Sequence, residues 1–158
     1  MRVRRLARKI KSFLSYAPLF LPPLILTLLY VFGFRFVVVL TDSMEPSIPT
    51  YSLVVTAPTW VLSPSNGSVI LYRLYLPNNA SFMVLHRVVG TTGNYLLTKG
   101  DNRGFRDPWY VGRDDVVGVV VLTIPYLGVA LLILKFFIPH IIIGYVVYYT
   151  LRRWVFNA

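Results

Sequence analysis

The sequence predicts a mainly β fold, a small exported β domain held between an N-terminal and a C-terminal transmembrane helix. Three observations carry this. Two long apolar runs flank the middle of the chain, the basic excess sits at their outer ends, and the segment between them reads as short strands punctuated by Pro and Gly. The 158 residues are 56% hydrophobic and 14% charged, against about 25% charged in an average soluble domain. So much apolar surface excludes intrinsic disorder and argues against a plain soluble globule.

The net charge of +10 raises the question of nucleic acid. Its distribution answers it. Arg2, Arg4, Arg5, Arg8, Lys9 and Lys11 crowd the first 16 residues without an acid, and Arg152 and Arg153 follow the second apolar run. The stretch 35–125 has seven bases against six acids. A basic excess outside apolar runs is a topology signal, not a phosphate-binding surface, so no nucleic-acid partner is expected. The absence of cysteine excludes disulfides, thiol nucleophiles and thiolate metal sites.

Residues 1–14 form a basic cytoplasmic tail. The first apolar run, 15–34, holds 20 residues without a charge, enough for a helix of about 30 Å. Pro18, Pro22 and Pro23 fall early in it, and the Pro22–Pro23 pair invites a kink. A cleavable signal peptide also begins with a basic segment and an apolar core, but this core is too long and FRFVVVLTD offers no small-x-small site, so an uncleaved signal anchor is expected. The second run, 126–151, holds only Lys135 and a Pro139–His140 pair. A single tilted span is expected there, with two half-helices as the alternative. Residues 152–158 form the second basic cytoplasmic tail, which places 35–125 outside.

Within 35–125, strands are expected at Phe36–Leu40, Leu53–Thr56, Val69–Leu76, Ser81–Val89, Tyr95–Thr98 and Val116–Thr123, with a hairpin at Pro77–Asn79. Short strands without a soluble helix suggest a small barrel or sandwich. Asn66-Gly67-Ser68 and Asn79-Ala80-Ser81 fit the N-glycosylation pattern but also read as turns. Pro108-Trp109-Tyr110 reads as core or as an interfacial contact, and Lys135 as a partner-pairing or snorkelling residue.

Three neighbourhoods hold chemistry-bearing residues: Thr41-Asp42-Ser43-Met44-Glu45-Pro46, His86-Arg87-Val88-Val89-Gly90, and Lys99-Gly100-Asp101-Asn102 followed by Asp107. A serine needs a base to become a nucleophile, and the base needs an orienting acceptor. His86 is the only histidine between the apolar runs. It has no partner ligands at metal-binding spacing, so no metal and no cofactor is expected. Each box alone also reads as an ordinary turn or strand.

Together the boxes resemble type I signal peptidases, in the archaeal and endoplasmic-reticulum branch that uses Ser, His and Asp. The resemblance runs from about Val38 to Gly128. The serine box S-M-x-P is Ser43-Met44-Glu45-Pro46, His86-Arg87-Val88-Val89-Gly90 stands where the bacterial branch has Lys-Arg-Val, and Gly100-Asp101-Asn102 is the G-D-N box. Ile124-Pro125-Tyr126-Leu127-Gly128 is similar to the archaeal pattern. Self-cleaving repressors share the serine box alone.

The resemblance implies a signal-peptidase-like barrel and a membrane-bound serine endopeptidase cleaving N-terminal signal peptides of exported preproteins after small residues. It assigns Ser43 as nucleophile and His86 as base. It favours Asp107 as the acceptor that fixes the His86 tautomer, with Asp101 as a supporting residue or as the alternative acceptor. The Ser43 N–H and the Thr41 hydroxyl are the expected oxyanion donors. Strands Phe36–Leu40 and Phe82–His86 are the expected walls of a shallow apolar pocket, with Met44 and Val84 contacting a substrate that adds as an extended strand. Signal peptides, the lipid bilayer and other membrane subunits are the implied partners. The archaeal plasma membrane is expected over the endoplasmic reticulum. Two other readings stay open: an inactive family member serving as a membrane scaffold, and a Ser–Lys peptidase using Lys99.

Overall fold

The computed structural model describes the backbone of residues 2–77 and 80–156 and the side chains of residues 17–77 and 80–153. The Asn79 glycosylation pattern, the tip of the expected hairpin turn and the basic side chains of the first 16 residues lie outside the described residues.

A long helix α1 (Arg2–Val31) leads into seven strands: β1 (Arg35–Val38), β2 (Leu53–Ala57), β3 (Val69–Tyr75), β4 (Ser81–Thr92), β5 (Tyr95–Lys99), β6 (Val111–Gly112) and β7 (Val116–Ile124). A 3-10 turn, Arg113–Asp115, separates β6 from β7, and α2 (Leu127–Phe156) is the last described element. The strands form one antiparallel sheet in the order β1-β2-β7-β3-β4-β5-β6. All six expected strands are present. The barrel-or-sandwich expectation resolves into this single sheet, whose end strands β1 and β6 do not pair with each other among the described residues.

Alternation explains the sheet. In the β3–β4 hairpin, Ile70, Tyr72 and Val88 project to one side and build a core with Leu96, Val111, Val116 and Val119. Val69 and Leu85 project to the other side, against a second core of Val39, Met44, Ile48 and Val54. The register Tyr75↔Ser81 confirms the predicted hairpin. The β4–β5 turn closes at Thr92↔Tyr95. Its first central residue, Gly93, has φ +57°, the left-handed region that a two-residue turn starting on Gly requires. Gly118 permits a close approach of β2 and β7, where a Cβ would lie 2.6 Å from the Ala57 carbonyl oxygen. Strand β6 escaped the sequence reading because two residues carry no alternation to detect.

Of the two spans expected, at 15–34 and 126–151, the helices bear out the second. Among the described residues one helix, Leu127–Arg153, is long and apolar enough to cross a membrane. The apolar part of α1 is the shorter Ala17–Val31. The uncharged run expected as a span to residue 34 stops being helical at Val31, because Gly33, at φ +92°, turns the chain into β1. Pro18, Pro22 and Pro23 all lie inside continuous helix. So does Pro139, which leaves α2 unbroken and removes the half-helix alternative.

The start of α2 is locked onto the sheet. Gly128 donates its N–H to the Tyr51 carbonyl at 2.9 Å. A Cβ at Gly128 would lie 2.5 Å from both the Tyr51 oxygen and Val38 Cγ1. Gly128→Ala is therefore expected to lower thermal stability in detergent by about 1–3 kcal/mol, the usual cost of overpacking. Gly144→Ala, in the same helix with open space around it, is the control and should leave the melting temperature unchanged or raised. Equal behaviour of the two variants would refute the contact.

Candidate active site

The loop after β1 carries Ser43. It is held from both sides. Met44 is 0% exposed within the second core, and its carbonyl accepts from Ile48 N–H at 2.9 Å. Glu45 accepts from the Thr50 hydroxyl at 2.7 Å and the Thr50 N–H at 3.2 Å, and these bonds hold its carboxyl below the ordinary carboxylate range. The Glu45–Pro46 peptide is cis. Met44 corrects the expectation of a substrate contact: a methionine next to the serine box is the anchor of the loop, fully removed from the cleft.

His86 lies on β4 and is buried. Period-2 alternation puts it on the same side as Val84 and Val88. Its Nδ1 is 2.7 Å from Asp107 Oδ2, with both side chains about nine-tenths buried. The Asp107 backbone N–H donates to the Thr98 carbonyl at 2.8 Å, which ties the loop after Gly104 to β5. The Thr98 hydroxyl donates to Asp107 Oδ2 at 2.7 Å, and the Tyr72 hydroxyl stands 3.5 Å from the same oxygen. Trp109 Nε1 donates to Tyr72 OH at 3.1 Å. Burial pushes the Tyr72 phenol up, so it stays protonated.

Asp101 is placed differently. It takes a bidentate pair from Arg87, at 2.8 Å from Nε and 2.6 Å from NH2. Arg87 NH1 also donates to the Gly67 carbonyl at 2.8 Å. The Arg87 hydrogen bonds hold the Asp101 carboxyl below the usual range, and Asp101 in turn raises the Arg87 guanidinium. Of the two aspartates, Asp107 is the one bonded to His86.

The same acidic loop presses on the serine loop. Asn102 N–H donates to the Ser43 carbonyl at 2.9 Å, and Asn102 Nδ2 to the Asp42 carbonyl at 3.2 Å. Gly100 is the pivot, since a Cβ there would lie 2.7 Å from the Ser43 oxygen and 3.1 Å from His86 Nε2. Only glycine lets serine loop, imidazole and acidic loop meet at one point.

Thr41, Ser43, Val84, His86 and Asp107 all line one cleft of about 820 Å³. One wall is Val37–Leu40 and the other Met83–His86, with Trp109 and the 89% exposed Phe105 alongside. Both walls fall within the segments expected from the sequence, Phe36–Leu40 and Phe82–His86, without Phe36 and Phe82. Ser43 Oγ is 3.3 Å from Thr41 Oγ1 and makes no bond to His86 among the described residues. Lys99 faces Arg87 across the β4–β5 ladder and is not among the residues that line the cleft with Ser43 and His86. Among the described residues no His, Cys, Asp and Glu cluster suits a metal ion. Two residues missed by the sequence reading, Thr98 and Tyr72, look like ordinary strand residues; only the fold shows their hydroxyls at Asp107. Chemically, an imidazole tied to a carboxylate at Nδ1 offers Nε2 as a proton acceptor, in a cleft that also holds a serine.

No family model matches the chain. The chain is similar to the Signal peptidase complex catalytic subunit SEC11 of three fungi: 32% identical in Chaetomium globosum, 33% in Fusarium vanettenii and 32% in Verticillium alfalfae, each over 111 residues. Each match covers 63% of this chain, and the chain spans 63% of the length of each relative. Over that segment the chain is a homologue of these catalytic subunits, as the three boxes predict. The relatives are fungal, so the archaeal preference finds no support.

The Arg87–Asp101 pair has a pH signature. The Asp101 carboxyl is depressed in the folded protein, so its stabilisation is present above the unfolded value of about 3.9 and is lost as pH falls through the lower folded value. Asp101→Asn should lower the melting temperature at pH 7, and the gap to wild type should close below about pH 4. A gap that does not change with pH would show that the pair's charge contributes nothing.

Proposed function

We propose that this chain is a membrane-anchored serine endopeptidase that removes N-terminal signal peptides from exported preproteins, cutting after small residues. The observation that carries the reading is the meeting of Ser43, His86 and the His86-bound Asp107 at one cleft whose β1 wall packs on the start of the apolar α2. The homology to signal peptidase complex catalytic subunits supports it.

In the proposed reaction Asp107 accepts from His86 Nδ1–H, which leaves Nε2 free as the base. Ser43 Oγ turns from Thr41 toward Nε2, loses its proton to it and attacks the scissile carbonyl. The tetrahedral oxyanion forms beside the Ser43 N–H and the Thr41 hydroxyl. His86 then protonates the leaving amine, and the acyl-enzyme is released by a water that His86 deprotonates. The substrate adds as an extended strand in the cleft, whose apolar β1 and β4 walls, Val84 among them, admit small side chains. Asp101 supports the site at one remove, by holding the acidic loop against Arg87.

The expected topology places residues 35–125 outside, with residues 15–34 and 126–151 in the bilayer and the basic tails 1–14 and 152–158 in the cytoplasm. A Cβ at Gly33 would lie 3.2 Å from Pro58, and one at Gly128 2.5 Å from Val38, so the chain runs close against the domain at both helices. This sets the cleft close to the membrane, where the apolar helix of a preprotein lies. The proposed partners are signal peptides, the bilayer and further membrane subunits.

The test is cleavage of a detergent-solubilised preprotein with N-terminal sequencing of the product. A single cut after a small residue, abolished in Ser43→Ala, is the expected result. No cut by folded wild type would favour a non-catalytic membrane scaffold. Thr41→Val should lower kcat roughly tenfold or more with KM nearly unchanged, because a donor to the developing oxyanion lowers the barrier without strengthening substrate binding. An unchanged kcat would remove Thr41 from that role.

A further inference from the structure

We propose that Tyr72 and Thr98 are positioning residues that form a directed hydrogen-bond chain ending on Asp107, and so tune the basicity of His86. The inference rests on the peptidase reading above for its catalytic meaning, but its geometry stands alone.

The direction of the chain follows from its ends. An indole N–H only donates and an ionised carboxylate only accepts. Trp109 Nε1 donates to Tyr72 OH at 3.1 Å, so the Tyr72 hydrogen is turned away from Trp109. Its acceptors are Thr98 Oγ1 at 3.3 Å and Asp107 Oδ2 at 3.5 Å. The Thr98 hydrogen goes to Asp107 Oδ2 at 2.7 Å. Every hydrogen in the chain therefore points toward the carboxylate oxygen that holds His86.

Tyr72 and Thr98 are both 0% exposed, so water does not compete for these bonds. Donors on the carboxylate disperse its charge and keep it an acceptor. Without them Asp107 would draw the imidazole proton more strongly, and His86 would stay protonated to higher pH. The chain also begins at the cleft, since Trp109 is one of its lining residues.

The chain's two histidines are His86 and His140. His140 lies in α2, bonded to the Phe136 carbonyl and outside the proposed machinery. In a His140→Gln background, NMR titration of the full detergent-solubilised protein reads His86 alone. Thr98→Val should raise the His86 midpoint by roughly half a pH unit or more, and Thr98→Ser, which keeps the hydroxyl, should restore it. Among the described residues the other charged groups beside His86 are Asp101, paired with Arg87, and Arg103, paired with Asp42. All are unchanged in these variants, so the shift reports Asp107.

In cleavage assays Thr98→Val should lower kcat roughly ten- to hundredfold and move the acid limb of the pH profile upward. Tyr72→Phe should do less, and the double variant no more than Thr98→Val alone, because Tyr72 acts mainly through Thr98. An unshifted His86 midpoint in Thr98→Val would overturn the proposal. So would equal shifts in Thr98→Val and Thr98→Ser, which would mean packing alone. Should Thr98→Val fail to fold, Tyr72→Phe decides: a smaller upward shift supports the chain and none overturns it. The titration needs no substrate. Failure of wild type to cleave would sink the peptidase reading and leave the chain to be judged by the midpoints.

Discussion

A single carboxylate oxygen joins three neighbouring strands. Tyr72 comes from β3, His86 from β4 and Thr98 from β5, and all three side chains reach Asp107 Oδ2 from the same side of the sheet. Their meeting depends on register. Ile70 is paired with His86 and Val88 with Thr98, so a slip of one residue in either ladder would turn His86 or Thr98 to the opposite face. The backbone bond from Asp107 to the Thr98 carbonyl then fixes the loop at the height where its side chain meets all three. An ionised carboxylate is costly to bury unless its oxygens are saturated, and here the sheet supplies the donors.

The serine arrives from elsewhere in the fold. Its loop leaves the edge strand β1 and packs by Met44 on the second core, on the other side of the β3–β4 hairpin. The acidic loop reaches it through Asn102 and Gly100, while Arg87 holds Asp101 and the Gly67 carbonyl on the loop's far side. The loop is thus clamped between a backbone contact with Ser43 and an ion pair with Arg87. The cleft is the gap left where β1 and β4, distant in sheet order, converge.

Much of this was legible in the residues. Alternating β-branched and aromatic runs mark six strands to within a few residues, since a half-buried strand must repeat every second position. The three boxes identify the chemistry-bearing segments and the homology that the matched relatives bear out. Other features were hidden. Met44 reads as a substrate contact beside Ser43, because a loop methionine carries no periodic sign of its burial. Thr98 and Tyr72 read as plain strand residues, because a hydroxyl's partner 9 or 35 residues away is set by register and not by spacing. The 15–34 run looks like a full span by composition, but the turn at Gly33 ends its helix early.

By itself, then, the sequence determined the kind of molecule this is. A strand-rich segment lies between apolar runs with basic ends, and one serine, one histidine and two aspartates sit in recognisable boxes. These are properties of local pattern and composition. Only the tertiary structure decided which aspartate the histidine takes, that Lys99 does not line the cleft, and that Met44 anchors a loop instead of lining it. The physical reason is that hydrogen bonds and packing act over a few ångströms in space. The fold chooses which residues share that distance, here through ladder register and the missing Cβ of Gly100.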